Sequence, residues 1–140
     1  MITATRRIQF CSGHRVFNHE SKCRNIHGHN YVAFITSEAD ELDDLGRVID
    51  FSVLKQKVGG WIDENWDHGF IAFKDDLKAV EIIKDIGTRL YLMDQNPTAE
   101  NMALHLLNDI CPVLMQGTGV KITKITLWET ENVYAEVCNN

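Results

Sequence analysis

An α+β fold, in which an antiparallel sheet carries helices on one face, is the architecture this sequence predicts, and three observations predict it. Strand-like segments sit at both ends of the chain, at residues 4–13 and 29–37 and again at 120–129 and 132–137. Helix-period segments fill the middle. No repeat, low-complexity tract or Pro/Gly/Ser-rich linker divides the 140 residues, so 1–140 reads as a single domain. The predicted order is ββ, helix, a short additional helix, helix, ββ.

In the first strand, Ile8, Phe10 and Ser12 share one face. The second, HNYVAFITS (His29–Ser37), is rich in aromatic and β-branched residues. The turn cluster DELDDLGR (Asp40–Arg47) then suggests a hairpin loop, closed by Val48–Asp50, with Asp50 or Ser52 capping the helix that follows. Apolar residues at 51, 54, 58, 61 and 62 follow the helical period, although the Gly59-Gly60 pair weakens that helix. Asp75–Ile86, bounded by Gly87, forms the short additional helix. Asn96-Pro97-Thr98 is a strong helix start, and Met102, Ala103, Leu106, Leu107 and Ile110 make the core stripe of the helix it begins. Two last strands meet at a tight Thr130-Glu131 turn. Four strands leave two open edges, which invite pairing with another copy of the chain.

Charge and cysteine content narrow the function. The net charge of −6 argues against general nucleic-acid binding, which relies on a basic surface, yet a small phosphorylated substrate needs only local cations. No apolar run approaches the roughly 20 residues of a membrane span, and MITATRRIQF lacks the apolar core of a signal peptide. Four cysteines without a CxxC pair suggest a reduced, cytoplasmic protein. Cys111, near the end of an apolar helix, and Cys138, close to the C-terminus, read as inert.

The chemistry concentrates in CRNIHGHN, Cys23–Asn30. His27 and His29 lie two apart at the entrance of a strand, so they share a face. His14 ends the neighbouring strand. Three converging imidazoles are the protein ligands of a catalytic zinc, which keeps a fourth position open. Gly28, without a Cβ, suggests close approach of backbone and metal. Spacing leaves Cys23 open as either a fourth ligand or a free thiol, and Lys22 and Arg24 beside it favour a thiolate. In Asp67-His68 a carboxylate can orient an imidazole for proton transfer, although adjacent side chains often point apart. Glu129 ends a strand where it can accept two hydrogen bonds from a planar guanidine-like edge. Glu100 lies in a first helical turn, where a carboxylate is ordinary dipole chemistry.

Cys-x3-His-Gly-His-Asn-Tyr (23–31), the upstream His14, VIDF (48–51), DH (67–68), NPTAEN (96–101) and WET (128–130) together resemble the 6-pyruvoyl-tetrahydropterin synthase superfamily. The three-residue gap between Cys23 and His27 is most similar to its 6-carboxytetrahydropterin synthase branch, which serves queuosine biosynthesis. The resemblance implies a T-fold, ββααββ, whose subunits join edge to edge into a barrel with the helices outside, usually a homohexamer built as a dimer of trimers. It implies Zn2+ on His14, His27 and His29, Cys23 as general base, and Asp67 and His68 as proton-relay partners, reached across a subunit boundary. It also implies Glu129 as the pterin anchor, with Thr98 and Glu100 lining the same pocket. The implied substrate is 7,8-dihydroneopterin triphosphate, converted to 6-carboxy-5,6,7,8-tetrahydropterin with release of acetaldehyde and triphosphate. The alternatives are a 6-pyruvoyl-type triphosphate elimination and a non-catalytic pterin-binding zinc oligomer. Arg15, Lys22 and Arg24 are the cations nearest the site. Two features depart from the pattern: a long segment between Gly69 and Gln95, and Trp66 where an aliphatic residue is more usual.

Overall fold

The computed structural model describes residues 1–139. Strands β1 (Ile2–His14) and β2 (His27–Ala39) pair antiparallel along their whole lengths. β5 (Lys121–Thr130) pairs antiparallel with β2, and β6 (Val133–Cys138) with β5. These are the four strands that alternation predicts. On their inward face Ile8, Phe10, Tyr31, Ala33, Ile125 and Leu127 are buried in one apolar core.

Helix α1 runs continuously through Phe51–Leu54, Lys55–Gly59 and Gly60–Asn65. Asp50 caps it, its side chain accepting from the Ser52 N–H. The Gly59-Gly60 pair does not break the helix; a wider i→i+5 turn over Lys55–Gly59 accommodates it. Leu54, Val58, Ile62 and, just beyond the helix, Trp66 are fully buried, an i, i+4 stripe facing the sheet. Helix α3, Ala99–His105 with Leu106–Ile110 and Cys111–Leu114, buries Met102, Ala103, Leu106 and Leu107 on the same core. The Cys111 thiol within it is pushed up to about 12 by burial, so it is inert as expected.

The expected hairpin closed by Val48–Asp50 does not form. Residues 40–50 are a loop in which Asp43 accepts from the backbone N–H groups of Leu45 and Arg47 and from the Arg47 guanidinium. One carboxylate satisfies these groups locally, so no partner strand is needed.

The long segment after Asp67-His68 is a β-α-β unit rather than a helix alone. β3 (Gly69–Phe73) and β4 (Leu90–Met93) flank α2 (Leu77–Ile86), which ends on Gly87 at φ +82°. β3 runs parallel to β1, and β4 parallel to β3, so the sheet is mixed, with six strands in the order β4-β3-β1-β2-β5-β6. Phe70 and Ala72 pack on Ala79 and Ile83 of α2, while Ile71 joins the main core. The helices therefore lie on one face, as predicted, for α1 and α3; α2 covers the opposite face of the extension.

Trp66 and the added segment meet in space. Tyr91 of β4 packs edge-on against Trp66 and Trp61, with centroids 6.0 and 5.4 Å away. The unusually large residue before Asp67 is thus a contact surface for the added strand.

The extension is also clamped to the end of β1. Arg15 donates from Nε and Nη2 to the two oxygens of Asp76, at 2.6 and 2.5 Å, and Asp76 is 1% exposed. Asn96 accepts from the Phe17 N–H and donates to the Phe17 carbonyl. Arg15 is thereby the counter-ion of Asp76 and is not free for a substrate phosphate. Asp76 also caps α2 through the Ala79 N–H. No helix is long and apolar enough to cross a membrane among the described residues.

Removing one partner of a buried ion pair leaves an uncompensated charge, so Asp76→Ala should destabilise the fold by about 3 kcal/mol in denaturant melts. The hydrogen bond from Arg15 holds the Asp76 carboxyl below its ordinary value. Its contribution is therefore complete above about pH 4 and is lost as pH falls through the lowered folded-state value. A variant as stable as the parent would contradict this role.

Candidate metal and substrate site

Pairing of β1 with β2 sets His14 opposite His27 and Ser12 opposite His29. Residues two apart share a face, so the three imidazoles project together with Phe10 and Tyr31. Their ring centroids are 4.7 to 5.0 Å apart, and one nitrogen from each lies within 4.8 Å of the others.

The hydrogen bonds define the free atoms. His14 Nδ1 lies 2.7 Å from the Pro97 carbonyl, and His27 Nδ1 2.7 Å from the Asn25 carbonyl. A carbonyl only accepts, so both Nδ1 atoms carry the hydrogen and both Nε2 atoms keep a lone pair. His14 Nε2 and His29 Nε2 are buried without any hydrogen-bond partner. A buried polar atom left unpaired costs on the order of 1–3 kcal/mol, and a metal ion is the partner such lone pairs lack. Burial and the neighbouring His27 and His29 outweigh the Pro97 hydrogen bond and bring His14 down to about 4. Burial and His27 also lower His29, against the pull of Glu129. Histidine held neutral is in its ligating form. Among the described residues, no cysteine or carboxylate completes a fourth corner of this group. Three nitrogens fit an open catalytic zinc site better than a closed structural one.

The remaining sequence candidates distribute around this centre. Glu129 Oε1 lies 3.4 Å from His29 Nε2, close in space but without hydrogen-bond geometry, so the carboxylate keeps its acceptor positions. Thr98 caps α3, its Oγ1 accepting from the Asn101 N–H, immediately after the Pro97 carbonyl that holds His14. Glu100 is exposed in the first turn of the same helix. Cys23 is half-buried in a single 3-10 turn, Lys22–Arg24, and its carbonyl accepts from the Val16 N–H at 2.8 Å. It stands outside the ligand group.

Asp67 and His68 touch, contrary to the usual divergence of adjacent side chains. His68 adopts φ +56°, a left-handed conformation rare outside glycine, which turns its Nδ1 to 2.8 Å from Asp67 Oδ2. The Cys11 N–H donates to the other Asp67 oxygen, and the His68 N–H donates to the Cys11 carbonyl. Burial raises Asp67, but these bonds and the charge of Arg89 outweigh it and hold the carboxyl below its ordinary value. The His68 side chain is 80% exposed, so its ring is accessible.

One expectation is corrected. Gly28 lies on the opposite face from the histidines that flank it, and an added Cβ would sit 3.2 Å from the Ser12 carbonyl oxygen. Its missing side chain serves the close approach of β1 and β2, not a metal. Tyr31 is a site residue that the sequence reading quoted without a role. It is fully buried, stacks on Phe10, and lies with its hydroxyl 3.3 Å from His14 Nδ1. Its place two residues beyond His29 on the same strand was the available signal.

Titration with zinc at pH 7.5 should give one ion per chain, and His29→Ala should weaken binding by more than about a hundredfold, beyond the loss from removing a group that only orients a ligand. Because burial brings His14 down to about 4 and also lowers His29, protons should displace zinc from these two imidazoles only well below the ordinary histidine range, with affinity collapsing as pH approaches about 4. Unchanged affinity in His29→Ala would contradict the assignment.

Comparison with known proteins gives the family and the fold. The family model described as 6-pyruvoyl tetrahydropterin synthase matches residues 3–140. A Rickettsia bellii protein named 6-carboxy-5,6,7,8-tetrahydropterin synthase is 45% identical, over 98% of this chain and 100% of that one. A Helicobacter pylori protein of the same name is 32% identical, over 94% of this chain and 70% of that one. Among solved structures, an uncharacterised Wolinella succinogenes protein superposes with TM-score 0.82 at 24% identity, covering 99% of this chain and 98% of that one. A Plasmodium vivax 6-pyruvoyltetrahydropterin synthase gives 0.70 at 18% identity, covering 100% and 99%. With a site of this shape at the end of its longest strand pair, and a family model matched along almost its whole length, the chain belongs to the 6-pyruvoyl tetrahydropterin synthase family.

Proposed function

We propose that this protein is a zinc-dependent lyase that converts 7,8-dihydroneopterin triphosphate to 6-carboxy-5,6,7,8-tetrahydropterin, releasing acetaldehyde and triphosphate. The observation that carries the reading is the three-histidine group with unpartnered Nε2 atoms beside Glu129. The 45% identity to the Rickettsia bellii 6-carboxy-5,6,7,8-tetrahydropterin synthase supports the choice of product.

In this reading His14, His27 and His29 hold zinc, which when bound supplies a Lewis acid that makes a neighbouring hydroxyl and C–H more acidic. Glu129 accepts two hydrogen bonds from the guanidine-like edge of the pterin and fixes the ring plane. Thr98 and Glu100 line the same pocket. Cys23, as thiolate, removes a proton from the substrate side chain. His68, oriented by Asp67, returns one on the other face, which is general acid–base chemistry with the two groups set apart.

The chain acts as a single domain within a cytoplasmic homohexamer, a dimer of trimers, in the queuosine pathway. Free sheet edges support assembly: among the described residues β6 and β4 have no outer neighbour, and β1 meets β3 only at Ser12–His14. The family resemblance implies that Cys23 works with the Asp67-His68 pair of a neighbouring copy.

Incubating the zinc-loaded protein with dihydroneopterin triphosphate, followed by mass analysis of the pterin, tests the reading. The expected product is the 6-carboxy compound, and Cys23→Ala should lower turnover by at least about a hundredfold, as loss of a positioned base does. A 6-pyruvoyl product would assign the chain to the other activity. No turnover, with zinc and pterin both bound, would reduce it to a binding module.

A further inference from the structure

The site has a direction. Glu129 stands beside His29, His27 is tied by its Nδ1 to the Asn25 carbonyl, and Arg24 precedes Asn25. The line from the ring anchor across the histidines therefore ends on the 15–25 loop. There a recess of about 490 Å³ opens between Phe17–His19 and Arg24–Asn25.

The loop is built rather than loose. Val16 N–H donates to the Cys23 carbonyl, His19 N–H to the Val16 carbonyl, and Asn25 N–H to the Lys22 carbonyl. Asn96 grips both backbone groups of Phe17 from the far side. The Ser21 N–H donates to His19 Nδ1, so that atom is the acceptor and His19 Nε2 carries a hydrogen to offer. Arg15 on the wall is matched by Asp76, whereas the Arg24 guanidinium has no hydrogen-bond or ion-pair partner among the described residues. Lys22 adds a second exposed cation in the same turn, and the one nearby acid, Glu20, reaches His19 Nδ1 only at 3.8 Å and points to solvent.

We propose that this recess holds the phosphate chain of the substrate, with Arg24 as its principal cation and His19 Nε2 as a neutral donor. The proposal rests on the dihydroneopterin triphosphate reading and deepens it. A pterin anchored at Glu129, with its three-carbon side chain across the histidines, delivers its terminal phosphates to the Arg24 side. A planar guanidinium binds phosphate oxygens in pairs, which suits Arg24 to this position. The other basic recess, about 560 Å³ and lined by Arg6, Arg7 and Lys55, opens against the middle of β1. Arg7 is seven strand residues from His14, roughly 23 Å along the strand at about 3.3 Å per residue, beyond the reach of a three-carbon tail.

The test uses the zinc-loaded protein and inorganic tripolyphosphate as probe, with binding measured by calorimetry for wild type, Arg24→Gln, Arg24→Lys and Lys55→Gln. Arg24→Gln should raise the tripolyphosphate Kd by about tenfold or more, the loss of one charge-assisted pair. Arg24→Lys should recover part of that loss, and Lys55→Gln should match wild type. With dihydroneopterin triphosphate the Arg24→Gln deficit should appear in KM, while affinity for phosphate-free dihydroneopterin and for zinc stays at the wild-type value. Unchanged tripolyphosphate affinity in Arg24→Gln, or its loss in Lys55→Gln, overturns the subsite. Absence of turnover by wild type with Arg24-dependent tripolyphosphate binding intact overturns the reaction instead, so the two failures are distinct.

Discussion

The register of β1 against β2 is the constraint on which the rest of the site depends. Phe10 faces Tyr31, Ser12 faces His29, and His14 faces His27. Because side chains alternate with period two, a slip of one residue would send His27 and His29 to the opposite face and separate them from His14. What prevents the slip lies further along the same strands: Ile8, Phe10, Ala33 and Ile35 are buried against α1 and α3 on that face. The apolar core thus locks the position of the polar site at its end. Gly28 helps, since an added Cβ would crowd the Ser12 carbonyl oxygen at 3.2 Å and push the two strands apart.

The histidines are held at the expense of folding stability. His14 is 1% exposed with its Nε2 unpartnered, and its burial disfavours the charged form. The surrounding structure supports this arrangement from several elements. Pro97, at the start of α3, fixes the ring through its carbonyl, and Tyr31 closes over it. The Arg15–Asp76 pair and the Asn96–Phe17 bonds fasten the residues that follow His14 to the β3–α2–β4 extension. The β3–α2–β4 extension therefore buttresses the strand that carries His14.

Much of this was legible in the sequence, and the limits have physical causes. The long strands, the capped helices and the three histidines follow from alternation, capping residues and spacing. β3 and β4 do not, because they span only Gly69–Phe73 and Leu90–Met93 and GFIAF, buried on both faces, has no alternation to read. The loop at 40–50 imitates a hairpin, since local hydrogen bonds from Asp43 do what a paired strand would otherwise do. The contact between Asp67 and His68 depends on a positive φ at His68, a conformation that no residue other than glycine announces. Gly28 misled because a sequence shows that a Cβ is missing but not which face it is missing from.

The central claim is that CRNIHGHN is divided: two of its residues join His14 at a metal and Cys23 remains a free thiol. Zinc K-edge X-ray absorption on the zinc-loaded protein tests it most directly. The expected spectrum shows scattering from three imidazole nitrogens and no sulphur shell. A sulphur neighbour at about 2.3 Å, the zinc–thiolate distance, would make Cys23 a ligand and contradict that claim.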